Sequence, residues 1–201
     1  MFYLTRDGSG MQVDPLTAIV SPRPIAWISS RDGAGAVNLS PYSFFTAVAY
    51  DPPQIVIASV GHKSDRDIGK DSLSNIVETG VFCVNIAGYD DREALNASSA
   101  PFPRETDEAA RLGLATEPCK TIDCPRLSHA PAALECRMSR HIALEGAHNH
   151  LIVARVEAIH LRDDCIVDGR FDVTRYKPLT RLGYLDFAAI ETVFRMARPT
   201  V

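Results

Sequence analysis

The sequence has no surplus of basic residues. Twenty-one Lys and Arg stand against 25 Asp and Glu in 201 residues, a formal charge of −4. A surface built for phosphate backbones needs the opposite balance, which disfavours a general nucleic-acid binder. No window approaches the roughly eighteen consecutive apolar residues of a spanning helix, so a membrane role through such a helix is excluded. The start, Met1-Phe2-Tyr3-Leu4-Thr5-Arg6-Asp7, lacks a basic stretch followed by an apolar one, so no secretory signal is visible. GxGxxG, GxxxxGKS/T and GxSxG are all missing, which removes the dinucleotide fingerprint, the P-loop and the nucleophile elbow. No CxxC pair supports a zinc site.

What is present is ordinary globular material. Apolar residues make up 46% and charged residues 23%, which excludes a largely disordered chain. At about 150 residues per domain, the length predicts a single domain over 1–201. The five cysteines (Cys83, Cys119, Cys124, Cys136, Cys165) are odd in number and scattered. They predict reduced thiols and a cytoplasmic protein. Cys119 and Cys124 stand close enough in sequence to bridge a loop or join a metal site, without a second pair to support it.

Short apolar runs alternate with Pro and Gly punctuation. Residues 25–29 predict a strand, 31–35 a turn, 37–40 extended chain and 54–60 a buried strand after the Asp51-Pro52-Pro53 break. A helix follows, capped by Asp71 or Ser72, with Leu73, Ile76 and Val77 at helical spacing and Gly80 as its stop. Residues 81–86 predict another strand, and 90–97 and 105–112 two short helices around Pro101-Phe102-Pro103. Residues 134–145 and 150–161 read as the arms of a hairpin around Gly146-Ala147-His148-Asn149, and 165–167 as a further short strand. Strands dominate, with helices beside them. The pattern predicts a mainly β fold with flanking helices, a closed or nearly closed barrel.

Three polar constellations carry chemistry. In Ser21-Pro22-Arg23-Pro24, the prolines fix the path and Arg23 offers a planar fork suited to phosphate, or is a surface arginine in a stiff turn. In Asn38-Leu39-Ser40-Pro41-Tyr42-Ser43, amide and hydroxyl groups suit the heteroatoms of a planar ring, and Phe44 and Phe45 could cover its face, or the segment is turn and core. Ser59-Val60-Gly61-His62-Lys63 and Lys70-Asp71-Ser72 place charge at a helix start, an anion site or simple capping. In that order they suit a flat cofactor with a phosphate. The histidines give a rival reading. On an uninterrupted strand, His148, His150 and His160 share one face, as in a metal-holding barrel enzyme, while Glu157 has the opposite parity unless a bulge intervenes.

These motifs, with Asn75-Ile76, Phe82-Cys83-Val84-Asn85 and Pro178-Leu179-Thr180-Arg181-Leu182-Gly183, resemble the flavin reductase-like, FMN-binding split-barrel family, closest to its flavoredoxin-type branch. The resemblance covers residues 15–186. It implies a six-stranded Greek-key barrel, a homodimer, and FMN near the subunit interface. Asn38, Ser40 and Tyr42 would line the ring and ribityl region. Ser59, His62 and Lys63 would follow the ribityl-phosphate tail, with Lys70 and Ser72 in the phosphate triplet. Arg23 matches the arginine of the first motif, and His150 falls where relatives place a histidine near the nicotinamide. Tyr184 stands where a second glycine is common, and Ala154-Arg155-Val156 replaces a common Gly-Glu-Val. The resemblance implies reduction of FMN by NADH or NADPH, with electrons passing to a further acceptor or a partner monooxygenase. The alternative is an FMN-binding electron carrier without its own nicotinamide site.

Overall fold

A computed structural model describes residues 1–65 and 69–200. A short helix α1 (Leu16–Ile19) precedes strand β1 (Ala26–Arg31), β2 (Val37–Tyr42), β3 (Phe45–Tyr50) and β4 (Pro53–Val60). Helix α2 (Asp71–Thr79) leads to β5 (Val81–Asn85), then α3 (Arg92–Ala97) and α4 (Glu108–Arg111). The hairpin of β6 (Ala132–Ala143) and β7 (Asn149–Leu161) completes one antiparallel sheet, ordered β2-β1-β5-β6-β7-β4-β3.

The sheet closes because its two edges are one stretch of chain. Only Ser43 and Phe44 separate β2 from β3, and the run bends there. β2 pairs with β1 (Ala26 opposite Tyr42), and β3 pairs with β4 (Phe45 opposite Ile57). Counting the bent run once turns seven ladder strands into the six-stranded barrel that the motifs imply. β3 carries no clean alternation and lies mostly exposed, which is why its sequence signals no strand.

Period-two patterning fills the barrel. Ala26 and Ile28, Ile55 and Ile57, Phe82 and Val84, and Ile152, Ala154 and Val156 all point inward, with Leu73 and Ile76 of α2 packed against them. Each large side chain so buried contributes about 1.5–3 kcal/mol. The 54–60 strand buries one face only: Gln54, Val56 and Ala58 stay partly open. β5 is buried on both faces, because Ile122 and Cys124 cover the outer side at Val81 and Cys83. Helix α2 starts one residue earlier than its capping pattern suggests. Lys70 is the N-cap and makes no side-chain cap bond, while Ser72 turns its hydroxyl to Asn38 instead. Gly80 ends the helix at φ 73°, a left-handed turn that suits glycine. Cys165 belongs to a 3-10 turn, and only Ile166–Val167 form the short strand after it. All five cysteines are free.

The three histidines do not share a face. His148 sits in the hairpin turn at φ 58°. A register shift between Val156 and Ala158 leaves Glu157 as an extra residue in β7, so the side-chain alternation reverses before His160. His160 therefore meets Glu135 on the outer face, at 2.5 Å, while His150 meets His141 at 3.0 Å near the hairpin end.

Glu135 is fully buried. Burial alone would raise its pKa. The N–H groups of Lys120 and Thr121, the Thr121 hydroxyl and the His160 ring outweigh burial and hold it at about 2, against 4.5 ordinarily. A depressed carboxyl stabilises the fold above its unfolded pKa and stops doing so as pH falls through its folded value. Urea unfolding should therefore show stability falling from about pH 5 towards about pH 2, with a shallower fall in Glu135→Gln. Equal slopes in the two proteins would remove Glu135 as the cause.

Candidate functional site

The barrel mouth beside α2 is polar where the barrel interior is not. Asn38 of β2 donates from Nδ2 to Glu108 of α4 at 2.9 Å and accepts at Oδ1 from the Ser72 hydroxyl at 2.7 Å. The Leu39 N–H also donates to Glu108, at 2.8 Å. Glu108 is 4% exposed, and burial raises its pKa despite these bonds. This relay ties β2, α2 and α4 together at one point. Next to it lie the hydroxyls of Tyr42 and Ser59. Both atoms are buried; the Tyr42 hydroxyl lies near those of Ser59 and Ser72, yet neither Tyr42 nor Ser59 makes a hydrogen bond of good geometry. Burial raises the Tyr42 phenol, and the nearby Ser72 and Ser59 hydroxyls only moderate that shift. A buried hydroxyl without a well-aligned partner is costly in an isolated protein and useful in one that binds a polar ligand.

Two adjoining cavities open here. The smaller, about 210 Å³, is walled by Asn38, Ser40, Tyr42, His62, Lys63, Lys70 and Ser72, with Glu108 and residues 98–102 opposite. The larger, about 480 Å³, shares Tyr42 and Lys70 and adds Arg23, Phe44, Arg181, Tyr184 and Phe187. The Trp27 indole N–H donates to Ser98 at 2.9 Å and fixes the end of α3 as a wall.

The cations are not equivalent. Lys63 is committed to Asp71 at 2.6 Å and Asp65 at 3.3 Å. Lys70 is exposed at the junction of the cavities and pairs with no carboxylate among the described residues. It is the cation available to an anion at the start of α2. His62 stacks on His148 at 4.6 Å.

Arg23 is 8% exposed and serves first as a clamp. Its guanidinium donates to the Thr17 and Val20 carbonyls at the end of α1 and to the Leu182 carbonyl at 2.6 Å. It thus joins α1 to the 178–184 segment. That segment supplies Arg181, whose guanidinium lies 4.3 Å above the Phe187 ring. Tyr184, in the position where a glycine is common, takes φ 56°. This left-handed backbone explains why glycine suits the position.

Most of the residues singled out in the sequence meet at this cleft. Seven of them wall the smaller cavity, and Arg23 lines the larger one. Ser59 lies beneath the mouth and pairs in register with His150 of β7. His150 stands outside both sets of cavity walls. Burial first, then the His141 and His148 charges, lower its pKa. Sequence reasoning missed Glu108 and the 98–102 wall, which no local pattern marks. It quoted Arg181 and Tyr184 without assigning them to the cleft.

Residues 20–179 match the family described as flavin reductase like domain. The chain is 33% identical over 190 residues to protein BH2278 of Halalkalibacterium halodurans, covering 92% of this chain and 90% of that protein. Its fold is similar to nitrilotriacetate monooxygenase component B of Bacillus cereus, with TM-score 0.88, 27% identity and 98% of each chain covered. It is similar also to 2-nitrobenzoate 2-nitroreductase NbaA of Pseudomonas fluorescens, with TM-score 0.85, 30% identity, and 100% and 97% of the two chains covered. The chain belongs to the flavin reductase-like family and has its split-barrel fold. It is by family a flavin-related oxidoreductase. No helix among the described residues is long and apolar enough to cross a membrane.

The clamp depends on a close approach. A Cβ on Gly183 would lie 2.4 Å from Ala18 Cβ and 2.6 Å from its Cα. Gly183→Ala should push α1 away from the segment and cost about 1–3 kcal/mol, read as a lower thermal midpoint. An unchanged midpoint would mean that the two segments are not held together.

Proposed function

We propose that this protein is an FMN-binding oxidoreductase, an NAD(P)H-dependent flavin reductase that passes electrons to a further acceptor or a partner oxygenase. The observation that carries the reading is the pair of buried hydroxyls of Tyr42 and Ser59, close together and without a well-aligned partner, beside a cleft with Lys70 at its junction. The residues present fit the cofactor. Asn38, Ser40, Tyr42 and Ser59 supply polar groups for the ring and ribityl chain. Lys70, Ser72 and the start of α2 suit its phosphate. His62 and Lys63 border the same cavity. Arg23 contributes chiefly by holding α1 against the cleft.

Bound flavin would supply the redox chemistry, a two-electron exchange between NADH or NADPH and the acceptor. The chain's own work is to bind, orient and exclude water; no nucleophile is required. Glu108 keeps the Asn38 amide oriented, and Ser72 holds its other end. The proposal extends to a single domain over 1–201, a homodimer and a cytoplasmic location, where the five free thiols would stay reduced. The name of the Bacillus cereus relative, a monooxygenase component, supports an oxygenase partner. His150 was assigned to the nicotinamide by resemblance. Its place outside the cavity walls favours a second reading, an FMN electron carrier reduced by another protein.

Lys70→Ala should weaken FMN binding about tenfold or more, as loss of a charge-assisted contact predicts, and Ser72→Ala combined with it should weaken binding further. Fluorescence titration of FMN checks this, with circular dichroism confirming the fold. An affinity within about twofold of wild type in the folded double variant would contradict the assigned phosphate end.

A further inference from the structure

The larger cavity has more positive charge than one phosphate uses. Three cations line it (Arg23, Lys70 and Arg181), and no carboxylate is among its walls. Lys70 stands at the junction with the smaller cavity, whereas Arg23 and Arg181 border the larger one alone. Neither arginine pairs with a carboxylate among the described residues. Arg23 is almost wholly buried, and its Nε has no partner. Burial, then the charge of Arg181, lowers its pKa. Arg23 is thus a buried cation held by backbone carbonyls, with a second guanidinium close enough to act on its charge, an arrangement that an anion would stabilise.

Arg181 is also fixed in place. Its face rests on Phe187, and Nη2 donates to the Tyr184 carbonyl. Tyr184 holds a left-handed backbone that an L-residue adopts only at a cost. Strain of this kind at a cavity wall is a pointer to function. Most of the remaining wall is apolar, with Ile25, Phe44, Leu95 and Phe187, and Thr17, Ser43, Asn96 and Ser99 add polar groups. A fixed planar fork beside aromatic and aliphatic walls matches a flat apolar body with one carboxylate.

We propose that Arg181, with Arg23 behind it, docks the carboxylate of a planar aromatic second substrate in the larger cavity. This rests on the reading of the cleft as the flavin site and names the substrate class that the same cleft takes beside the cofactor. A free phosphate or a phosphate of the nicotinamide nucleotide would use the charge and leave the apolar wall unexplained.

Isothermal titration of the flavin-loaded protein tests this with benzoate, benzamide and inorganic phosphate. Benzoate should bind saturably, and benzamide, equal in shape but neutral, at least about tenfold more weakly. Phosphate should bind more weakly than benzoate. Arg181→Gln should abolish the preference for benzoate and leave FMN affinity within about twofold of wild type. The proposal is overturned by absent benzoate binding, by equal binding of benzoate and benzamide, or by phosphate binding more tightly. It is overturned equally if Arg181→Gln weakens FMN as much as benzoate, since that end would then belong to the cofactor. Failure of the flavin reading shows separately, as no FMN uptake. The same titration on the flavin-free protein then decides the carboxylate site by itself.

Discussion

At Ser43 and Phe44 the chain leaves one hydrogen-bonding partner and takes another. Up to Tyr42 it pairs with β1; from Phe45 it pairs with β4. A sheet with two free edges would present unpaired N–H and C=O groups along both. The bend makes the two edges one run and removes most of that liability. It also sets the site. Tyr42 is the last residue before the bend, so its ring enters the barrel core while its hydroxyl reaches the mouth beside Ser59.

The polar relay at the mouth depends on that closure. Glu108, Asn38 and Ser72 come from three elements and are all buried. A carboxyl in this position is stabilised only by donors held in place, here the Asn38 amide and the Leu39 N–H. The same relay turns the Ser72 hydroxyl towards Asn38. Stability and function therefore draw on the same few atoms. The Arg23 clamp repeats the arrangement on the other wall, where three backbone carbonyls hold a guanidinium that still has one donor unmatched.

Much of this was legible in the chain. Local signals mark β1, β2, β4, β5, α2 and the long hairpin, since alternation, Gly80 and the turn residues act over a few positions. The order of the polar motifs locates the cleft, and Lys70 and Ser72 emerge from it without any structure. What was hidden is long-range. Glu108 looks like an ordinary acidic residue at a helix start until Asn38, seventy positions away in sequence, is brought to it. The Glu157 bulge, which separates His160 from His150, follows from pairing with β6. β3 is mostly exposed and shows no polar–apolar alternation, so its strand character comes from β4. Arg181 acquires meaning only beside Arg23, after the clamp brings the two segments together.

The central claim is that this cleft holds flavin and admits a nicotinamide nucleotide. Visible absorbance of the purified protein under anaerobic conditions tests it most directly, before and after adding FMN and then NADH or NADPH. The account predicts a protein-bound flavin spectrum that bleaches promptly with one of the two nucleotides. A bound flavin spectrum that persists with both would contradict the reductase and leave an electron carrier. No flavin uptake would contradict the cleft assignment itself.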